Sequence, residues 1–240
     1  MAAAPIALKF LTVPAITRHT ATVIFIHGLG DTGFGWKPVA DLFRVDPDLH
    51  HVKWILPHSR VQPVTANMGM EMPSWFDIYS FGFKVAEDEK GMLESKKLIS
   101  QIIVDEINAG TPPSRIFLGG FSQGGAMSLL VGLTGEWKLA GLSILSSWLP
   151  LRAKFKAMAS PHAASVPIFW GYGTNDSLIE QSFTNASVAF LKDTLGVPPA
   201  KCLEERGLWV ESYSGMGHET CQKELDALRA FIKKHIPRTA

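Results

Sequence analysis

Short apolar runs alternate along this chain with longer segments whose apolar residues recur at helical spacing. The runs that predict strands are 6–13, 22–26, 52–56, 115–119, 141–145, 166–170 and 208–213. The segments that predict helices are 36–43, 87–109, 123–133, 180–195 and 219–235. In segment 87–109, Met92, Ile99 and Ile103 fall toward one face, which is typical of a surface helix packed on a sheet. The alternation predicts an α/β fold, with a mainly parallel central sheet and helices on both of its faces.

The composition indicates one substantial hydrophobic core. The chain has 240 residues, of which 46% are hydrophobic and 19% are charged. It contains no repeat, low-complexity block or linker, so we predict a single domain over residues 1–240. A net charge of +1 gives no electrostatic reason to expect a nucleic-acid partner. Cys202 and Cys221 make neither a disulfide framework nor a metal site, which fits a reducing compartment.

The first residues match a secretory signal poorly. Met1-Ala2-Ala3 lacks the basic start of a secretory signal, and Lys9 and Pro14 interrupt the apolar run that follows. No segment approaches the roughly 20 apolar residues that a membrane-spanning helix needs. We therefore expect the protein to be cytoplasmic, with the nucleus as a second expected location.

A serine flanked by glycines follows one of the predicted strands. The segment Gly120-Phe121-Ser122-Gln123-Gly124 comes after Ile116-Phe117-Leu118 and begins a predicted helix. This arrangement is typical of a nucleophile elbow, in which the serine takes a strained backbone conformation that exposes its hydroxyl. Side chains two residues before and after the serine would collide with neighbouring elements, which explains the glycines. The same pentapeptide also occurs by chance in loops, but the strand before it and the helix after it favour catalysis.

A serine nucleophile needs a base, and the base needs an acid that orients it. In α/β-hydrolases the acid and then the histidine follow the serine along the chain. Asp176 lies in the turn after predicted strand 166–170, and sites in open α/β sheets collect at such strand ends. His218 ends a glycine-rich loop after predicted strand 208–213. Asp176 alone could be a turn residue and His218 a helix cap. Because an acid and then a histidine follow the elbow in the required order, we predict a triad of Ser122, His218 and Asp176.

Two backbone N–H groups are candidates for an oxyanion hole. His27 ends predicted strand 22–26 and begins His27-Gly28-Leu29-Gly30, which resembles the oxyanion-hole loop of esterases. We expect the N–H groups of Leu29 and Gln123 to form the hole and the His27 side chain to brace the loop. One such donor lowers the barrier to acyl transfer by about 3–4 kcal/mol. His58, another histidine at a strand end, precedes the serine and breaks the required order.

The same loop offers an alternative of another class. Its segment 28–33 fits the dinucleotide fingerprint Gly-x-Gly-x-x-Gly directly after a strand. That fingerprint also needs an acidic residue at the end of the next strand to hold the ribose. Predicted strand 52–56 is followed by Pro57-His58-Ser59 and no acid, so the dinucleotide hypothesis is disfavoured.

Several segments together resemble the acyl-protein thioesterase and lysophospholipase family of α/β-hydrolases, also grouped as phospholipase/carboxylesterases. They lie at 25–36, 72–77, 118–126, 139–141, 148–151 and 215–218, and include Met72-Pro73-Ser74-Trp75-Phe76-Asp77 and Gly215-Met216-Gly217-His218. The resemblance implies an α/β-hydrolase fold, the triad and oxyanion-hole residues named above, and no metal or organic cofactor. It also implies removal of fatty acyl groups, notably palmitoyl, from protein cysteines, or hydrolysis of lysophospholipids and small esters.

The sequence departs from this family in three places. The family usually has His-Gly-x-x-Asp-Pro-x-Val around the acid, whereas this chain has Tyr172-Gly173-Thr174-Asn175-Asp176-Ser177-Leu178-Ile179. Members that act at membranes often carry an amino-terminal cysteine that is acylated, and Met1-Ala2-Ala3 has none, so we expect no stable membrane anchor. The connection 201–209 is more charged than expected, and we have no functional explanation for it.

The resemblance places Trp75, and the loop before it, beside the acyl group. We predict substrate contact by Met72, Trp75 and Phe76, within an apolar segment, 64–83, that also contains Met68, Met70, Ile78, Phe81 and Phe83. Methionine adapts to irregular apolar ligands, which suits an acyl groove. The alternative is that these residues pack in the core or in an exposed loop, and the pattern does not decide because it is neither helical nor alternating.

The leading hypothesis is thus a serine hydrolase that cleaves acyl thioesters of S-acylated proteins, or acyl esters, through an acyl-enzyme. One alternative is a short-chain carboxylesterase or lysophospholipase that uses the same triad. An alternative of another class is a non-catalytic ligand-binding protein on a hydrolase scaffold, because a fold does not fix a function. The oligomeric state does not follow from the sequence.

Overall fold

The structure is a computed structural model that describes residues 7–80 and 86–239. In these residues one large sheet contains β1 (Phe10–Val13), β2 (Ala21–Ile26), β3 (Val52–Pro57), β6 (Ile116–Phe121), β7 (Gly141–Leu145), β8 (Ile168–Gly173), β9 (Pro199–Ala200) and β10 (Leu208–Tyr213). Strands β4 (Arg60–Val64) and β5 (Met70–Ser74) do not belong to this sheet and form a separate antiparallel hairpin. The order across the large sheet is β1-β3-β2-β6-β7-β8-β10-β9.

Neighbouring strands of the large sheet run parallel, except that β1 is antiparallel to β3. The mainly parallel sheet is therefore confirmed. Each of the seven predicted strands is present: 141–145 and 208–213 have the predicted bounds, and the other five differ from them by a few residues. Residue 6 of the first predicted strand lies outside the described residues. Because the strands are parallel, β2, β6, β7, β8 and β10 all end at the same edge, where a site is expected.

Helices cover both faces of the sheet. They are α1 (Gly33–Arg44), α2 (Glu89–Asn108), α3 (Gln123–Thr134), α4 (Arg152–Met158), α5 (Gln181–Ala189) and α6 (Gln222–His235). One face packs against α1 and α6 around Phe25, Phe117, Phe169 and Phe231. The other packs against α2 and α3, with Phe155 of α4 also in its core. This is the α/β fold with helices on both faces that the apolar pattern predicts, and it agrees with the α/β-hydrolase fold that the resemblance implies.

Helix α3, which begins directly after Ser122, is buried on every side. Residues 123–133 are all buried between the sheet and α2, so this helix has no polar face. The apolar composition of 123–133 therefore reflects burial between two layers rather than the amphipathic spacing of a surface helix. The fixed position of α3 also fixes the residue that precedes it.

The structure adds elements that the pattern did not predict. Strands β4 and β5 contain Pro63 and Pro73, and prolines weaken a strand signal although an edge strand tolerates them. Helix α4 has seven residues, too few for a periodicity to emerge. The predicted helix 180–195 is α-helical to Ala189 and continues as a π-type turn over Phe190–Thr194.

Candidate active site

Ser122 lies in the sharp turn between β6 and α3 with a strained backbone. Its φ of 53° and ψ of −120° are uncommon for a residue with a side chain. A Cβ at Gly120 would lie 2.4 Å from the backbone of Gly124, and a Cβ at Gly124 would lie 2.1 Å from the carbonyl oxygen of Ile26. Both distances are well inside van der Waals contact, so the strand–turn–helix context and the predicted need for both glycines are confirmed.

His218 links Ser122 to Asp176. Its Nε2 is 2.9 Å from the Oγ of Ser122, and its Nδ1 is 2.7 Å from Oδ2 of Asp176. With the ring proton on Nδ1, the histidine donates to the carboxylate and accepts from the serine hydroxyl. The structure thus brings the three side chains of the predicted triad into one hydrogen-bonded chain, with His218 from the loop after β10 and Asp176 from the turn after β8.

The surroundings of Asp176 favour its ionised form. Burial alone would raise the pKa of this carboxyl group, but its bond with His218 and the N–H groups of Ile179 and Leu178 outweigh burial and lower the pKa. Those two N–H groups donate to Oδ1 over 2.8 and 2.9 Å, while Oδ2 faces the histidine. The turn that departs from the family pattern therefore still supplies donors to the acid.

The N–H groups of Leu29 and Gln123 are both available near Ser122. Gln123 is the first residue of α3, where a backbone N–H has no acceptor within the helix. Leu29 lines the cavity beside Ser122, and in the described part of the chain neither N–H donates to another protein group. The positive end of the α3 dipole also points toward this position. An oxyanion beside Ser122 would find these donors.

The buried side chain of His27 holds the loop that carries Leu29. Its Nδ1–H donates to the carbonyl oxygen of Gly28 over 2.7 Å, and its Nε2 accepts from the N–H of Ser59 over 3.1 Å. Burial lowers the pKa of this histidine, so the imidazole stays neutral. The expectation that His27 braces the loop agrees with these contacts.

Gly33, which suggested a nucleotide fingerprint, is required because a Cβ there would lie 2.3 Å from the carbonyl oxygen of Leu56.

Trp75 and Phe76 are core residues, which corrects their predicted position beside the acyl group. Trp75 donates its indole N–H to the carbonyl oxygen of His27 and its backbone N–H to Oε1 of Gln123, both over 2.9 Å. Gln123 Nε2 donates to the carbonyl oxygen of Phe76 over 2.8 Å. Both aromatic side chains are at most 2% exposed. They support the elbow from behind, and so does the buried side chain of Gln123, a role that sequence reasoning missed.

The cavity beside Ser122 has a volume of about 240 Å³ and an apolar wall. That wall is formed by Leu29, Ile78, Phe121, Trp148, Leu178 and Ile179. Met72 does not line this cavity but packs against the core, and Met68 is 90% exposed at the hairpin turn. Of the apolar segment 64–83, Ile78 lines the cavity, whereas Phe81 and Phe83 lie outside the described residues. Trp148 and Leu178 follow predicted strands 141–145 and 166–170, which is the signal that could have identified them.

The described residues contain no group of three or more His, Cys, Asp or Glu side chains arranged to hold a metal ion. Among those same residues, no helix has the length and hydrophobicity needed to cross a membrane.

A family model, curated relatives and solved structures all match this chain over most of its length. A sequence model of the phospholipase/carboxylesterase family matches residues 9–236. Acyl-protein thioesterase 1 of Cryptococcus neoformans var. neoformans serotype D (strain JEC21) is 45% identical over 238 residues, covering 97% of this chain and 99% of that protein. Acyl-protein thioesterase 1 of Neurospora crassa is 43% identical over 239 residues, covering 96% and 93%. The crystal structure of Arabidopsis thaliana SOBER1 is similar with a TM-score of 0.80 at 32% identity, covering 90% of this chain and 99% of that one.

Proposed function

Because the chain belongs to the phospholipase/carboxylesterase family, we propose that it is a serine hydrolase that cleaves fatty acyl thioesters, including S-palmitoyl cysteine in proteins, and related acyl esters. The observation that carries this proposal is the hydrogen-bonded chain from Ser122 through His218 to Asp176 beside an apolar cavity. The cavity suits an acyl chain, and the relatives named acyl-protein thioesterase support a thioester as the bond that is cleaved.

The chemistry follows from the two hydrogen bonds of His218. Its Nε2 takes the hydroxyl proton as Ser122 attacks the acyl carbonyl carbon, and Asp176 keeps the other ring proton on Nδ1. The N–H groups of Leu29 and Gln123 stabilise the negative oxygen of the tetrahedral intermediate. As the intermediate collapses to the acyl-enzyme, the C–S or C–O bond breaks and His218 gives its proton to the leaving thiolate or alkoxide. A water molecule, deprotonated by His218, hydrolyses the acyl-enzyme and restores the serine.

One observation favours the short-chain carboxylesterase as a second candidate. The cavity at Ser122, about 240 Å³, is smaller than the roughly 300–1,000 Å³ of pockets that enclose drug-sized ligands. A long acyl chain would have to extend beyond it. Short esters fit within it without any further space.

One experiment separates these functions. We would measure kcat/KM on a palmitoylated-cysteine peptide and on a short-chain p-nitrophenyl ester, with Ser122→Ala as the inactive variant and Ser212→Ala, an exposed serine on β10, as the matched control. Preference for the long thioester supports depalmitoylation, and preference for the short ester supports the carboxylesterase. Turnover that survives in Ser122→Ala would contradict both, and absence of any labelling of Ser122 by a fluorophosphonate would favour a non-catalytic binding protein.

The substrates that we propose are S-acylated proteins or acyl esters, handled without a metal or organic cofactor. A cytoplasmic location, with the nucleus also open, stays a prediction, as does the extent of the single domain over 1–240.

A further inference from the structure

The loop 146–151 connects the nucleophile to one wall of the acyl cavity. At its start, the Ser147 hydroxyl donates to the carbonyl oxygen of Ser122 over 2.6 Å. In its middle, the N–H of Leu149 donates to Oγ of Ser187 over 2.9 Å. Ser146 and Leu151 have φ values of 46° and 49°, and such conformations persist only where surrounding contacts hold them. The shape of this loop is therefore set by specific contacts.

Trp148, in the same loop, lines two cavities. With Ile78 it forms part of the wall of the cavity beside Ser122. It also lines a second cavity of about 380 Å³, together with Glu87, Leu149 and Leu151. Its side chain is 5% exposed and belongs to the core cluster on this face of the sheet, so the indole forms a buried part of both cavity walls. An edge contact with Phe76, with ring centroids 6.2 Å apart, supports the indole on another side.

Glu87 contacts this wall through both of its carboxyl oxygens. Oε2 accepts the backbone N–H of Leu151 over 2.7 Å, and Oε1 accepts the indole N–H of Trp148 over 3.4 Å. Burial raises the pKa of Glu87, although these donors and the nearby Arg152 favour its ionised form. Placing a carboxyl group where burial works against its charge is costly unless its hydrogen bonds compensate. Glu87 thus joins the start of α4 to the tryptophan.

We propose that Glu87 is a positioning residue for acyl-chain length, because it holds Trp148 as the wall along which a long chain lies. The inference rests on the proposed function, in which the cavity at Ser122 takes the acyl group. A short acyl group occupies the part of the cavity next to Ser122 and does not depend on the indole. A long chain extends along Trp148, so its binding requires that the indole stay in place.

The test uses p-nitrophenyl esters of increasing acyl length, from butyrate to palmitate. For Glu87→Ala we expect kcat/KM on the palmitate ester to fall about tenfold through KM, roughly the effect of losing contact with two methylene groups. Turnover of butyrate should stay within about twofold of wild type. Glu94→Ala is the matched control, because Glu94 is exposed on α2 and contacts only a surface arginine, Arg60, at 3.8 Å among its described ion pairs. Its length profile should remain that of wild type.

A double-mutant cycle separates positioning through Trp148 from a general effect on folding. Trp148→Phe removes the indole N–H and keeps an aromatic ring, so it should reproduce part of the loss on palmitate. In the Trp148→Phe background, Glu87→Ala should then lower kcat/KM on the palmitate ester less than it does in wild type, since the two residues act through one contact. Glu87→Gln, which retains one acceptor oxygen, should restore part of the long-chain activity.

Two outcomes would overturn the inference. One is a length profile in Glu87→Ala that keeps the wild-type shape or shifts toward long chains. The other is full additivity with Trp148→Phe. If Glu87→Ala fails to fold, which loss of the thermal transition would reveal, the length profile of Glu87→Gln decides instead: a wild-type profile in that variant would contradict the inference. Because oxygen esters are used, failure of thioester cleavage would not affect the result, whereas activity that is independent of Ser122 would contradict the proposed function itself.

Discussion

The carboxyl group of Glu224, in the first turn of α6, lies against the backbone of Gly171 in β8, so closely that a Cβ at position 171 would be 2.2 Å from Oε1. Glu224 is fully buried, and in the described part of the chain neither of its carboxyl oxygens has a hydrogen-bond partner. Burial, and secondarily the negative charge of Glu211, raises the pKa of Glu224 to about 8. The group is therefore a neutral acid at pH 7.

This raised pKa makes the free energy of unfolding depend on pH. Between the ordinary value of 4.5 and about 8, the folded state binds a proton at Glu224 that the unfolded state has released. Stability from this group is therefore complete below pH 4.5 and is lost as the pH rises through 8. Glu224→Gln stays neutral, so we expect it to match wild type below pH 4.5 and its free energy of unfolding to exceed that of wild type by about 1.4 kcal/mol more for each pH unit from there to pH 8. Thermal unfolding across this range measures the difference, and parallel curves for the two proteins would contradict the prediction.

Replacing Asp176 should reduce catalysis without unfolding the protein. Asp176→Asn keeps the size of the side chain but no longer fixes the ring proton of His218 on Nδ1. By analogy with other serine hydrolases, kcat should fall by about 10⁴-fold. The measurement is kcat on a butyrate ester, with the thermal transition as a check on folding. Asp226→Asn, an exposed substitution on α6, should retain wild-type kcat, and a fall of less than tenfold for Asp176→Asn would argue against its role as the acid.

A methyl group at Gly124 should disturb the elbow. Its Cβ would lie 2.1 Å from the carbonyl oxygen of Ile26, which belongs to a central strand and has little freedom to move. Helix α3 would have to shift, and the N–H of Gln123 would shift with it. We expect Gly124→Ala to lower stability by about 1–3 kcal/mol, as overpacking does, and to lower kcat on a butyrate ester more than it changes KM. Wild-type kcat would show that the elbow tolerates the shift.

Side chains that line the cavity should control KM for a long-chain ester. Met72, which the sequence predicted to contact the substrate but which does not line the cavity, should not affect it. Ile78→Ala removes apolar contact with the acyl chain, so we expect KM for a long-chain ester to rise about fivefold. Met72→Ala should change this KM by less than about twofold, because Met72 packs against the core and contacts Asn67. A larger effect of Met72→Ala than of Ile78→Ala would restore the original assignment of the acyl contacts.

The positions of Ser122, Asp176 and His218 could be predicted because each follows a strand of a parallel sheet. Strand ends are visible in the pattern of apolar residues, and parallel strands bring their carboxyl ends to one edge. Glycines that prevent collisions, such as Gly120 and Gly124, are also visible in the sequence. These local and topological constraints were sufficient to place the three side chains near one another.

The acyl wall could not be predicted in the same way. Whether an aromatic residue faces a cavity or the core depends on which elements pack against it, and Trp75 and Trp148 are both apolar residues outside regular elements. Trp75 is drawn inward by its bonds to Gln123 and His27, both distant in sequence. The hydrogen bond from the N–H of Leu151 to Glu87 likewise joins residues 64 positions apart. Tertiary contacts of this kind leave no periodic signal.

The hairpin of β4 and β5 has a consequence for how the molecule opens. Strands β2 and β6 are hydrogen-bonded on both sides within the large sheet, so their amide protons should exchange with solvent only when the whole protein unfolds. The hairpin lies outside that sheet, its turn exposes Met68, and its amide protons should exchange through a smaller, local opening. Ile78 comes four residues after the end of the hairpin, and Ala66, in the connection between its strands, donates its N–H to the carbonyl oxygen of Ile78. Opening of the hairpin would therefore loosen one side of the acyl cavity, while the nucleophile stays on a part of the sheet that exchanges slowly.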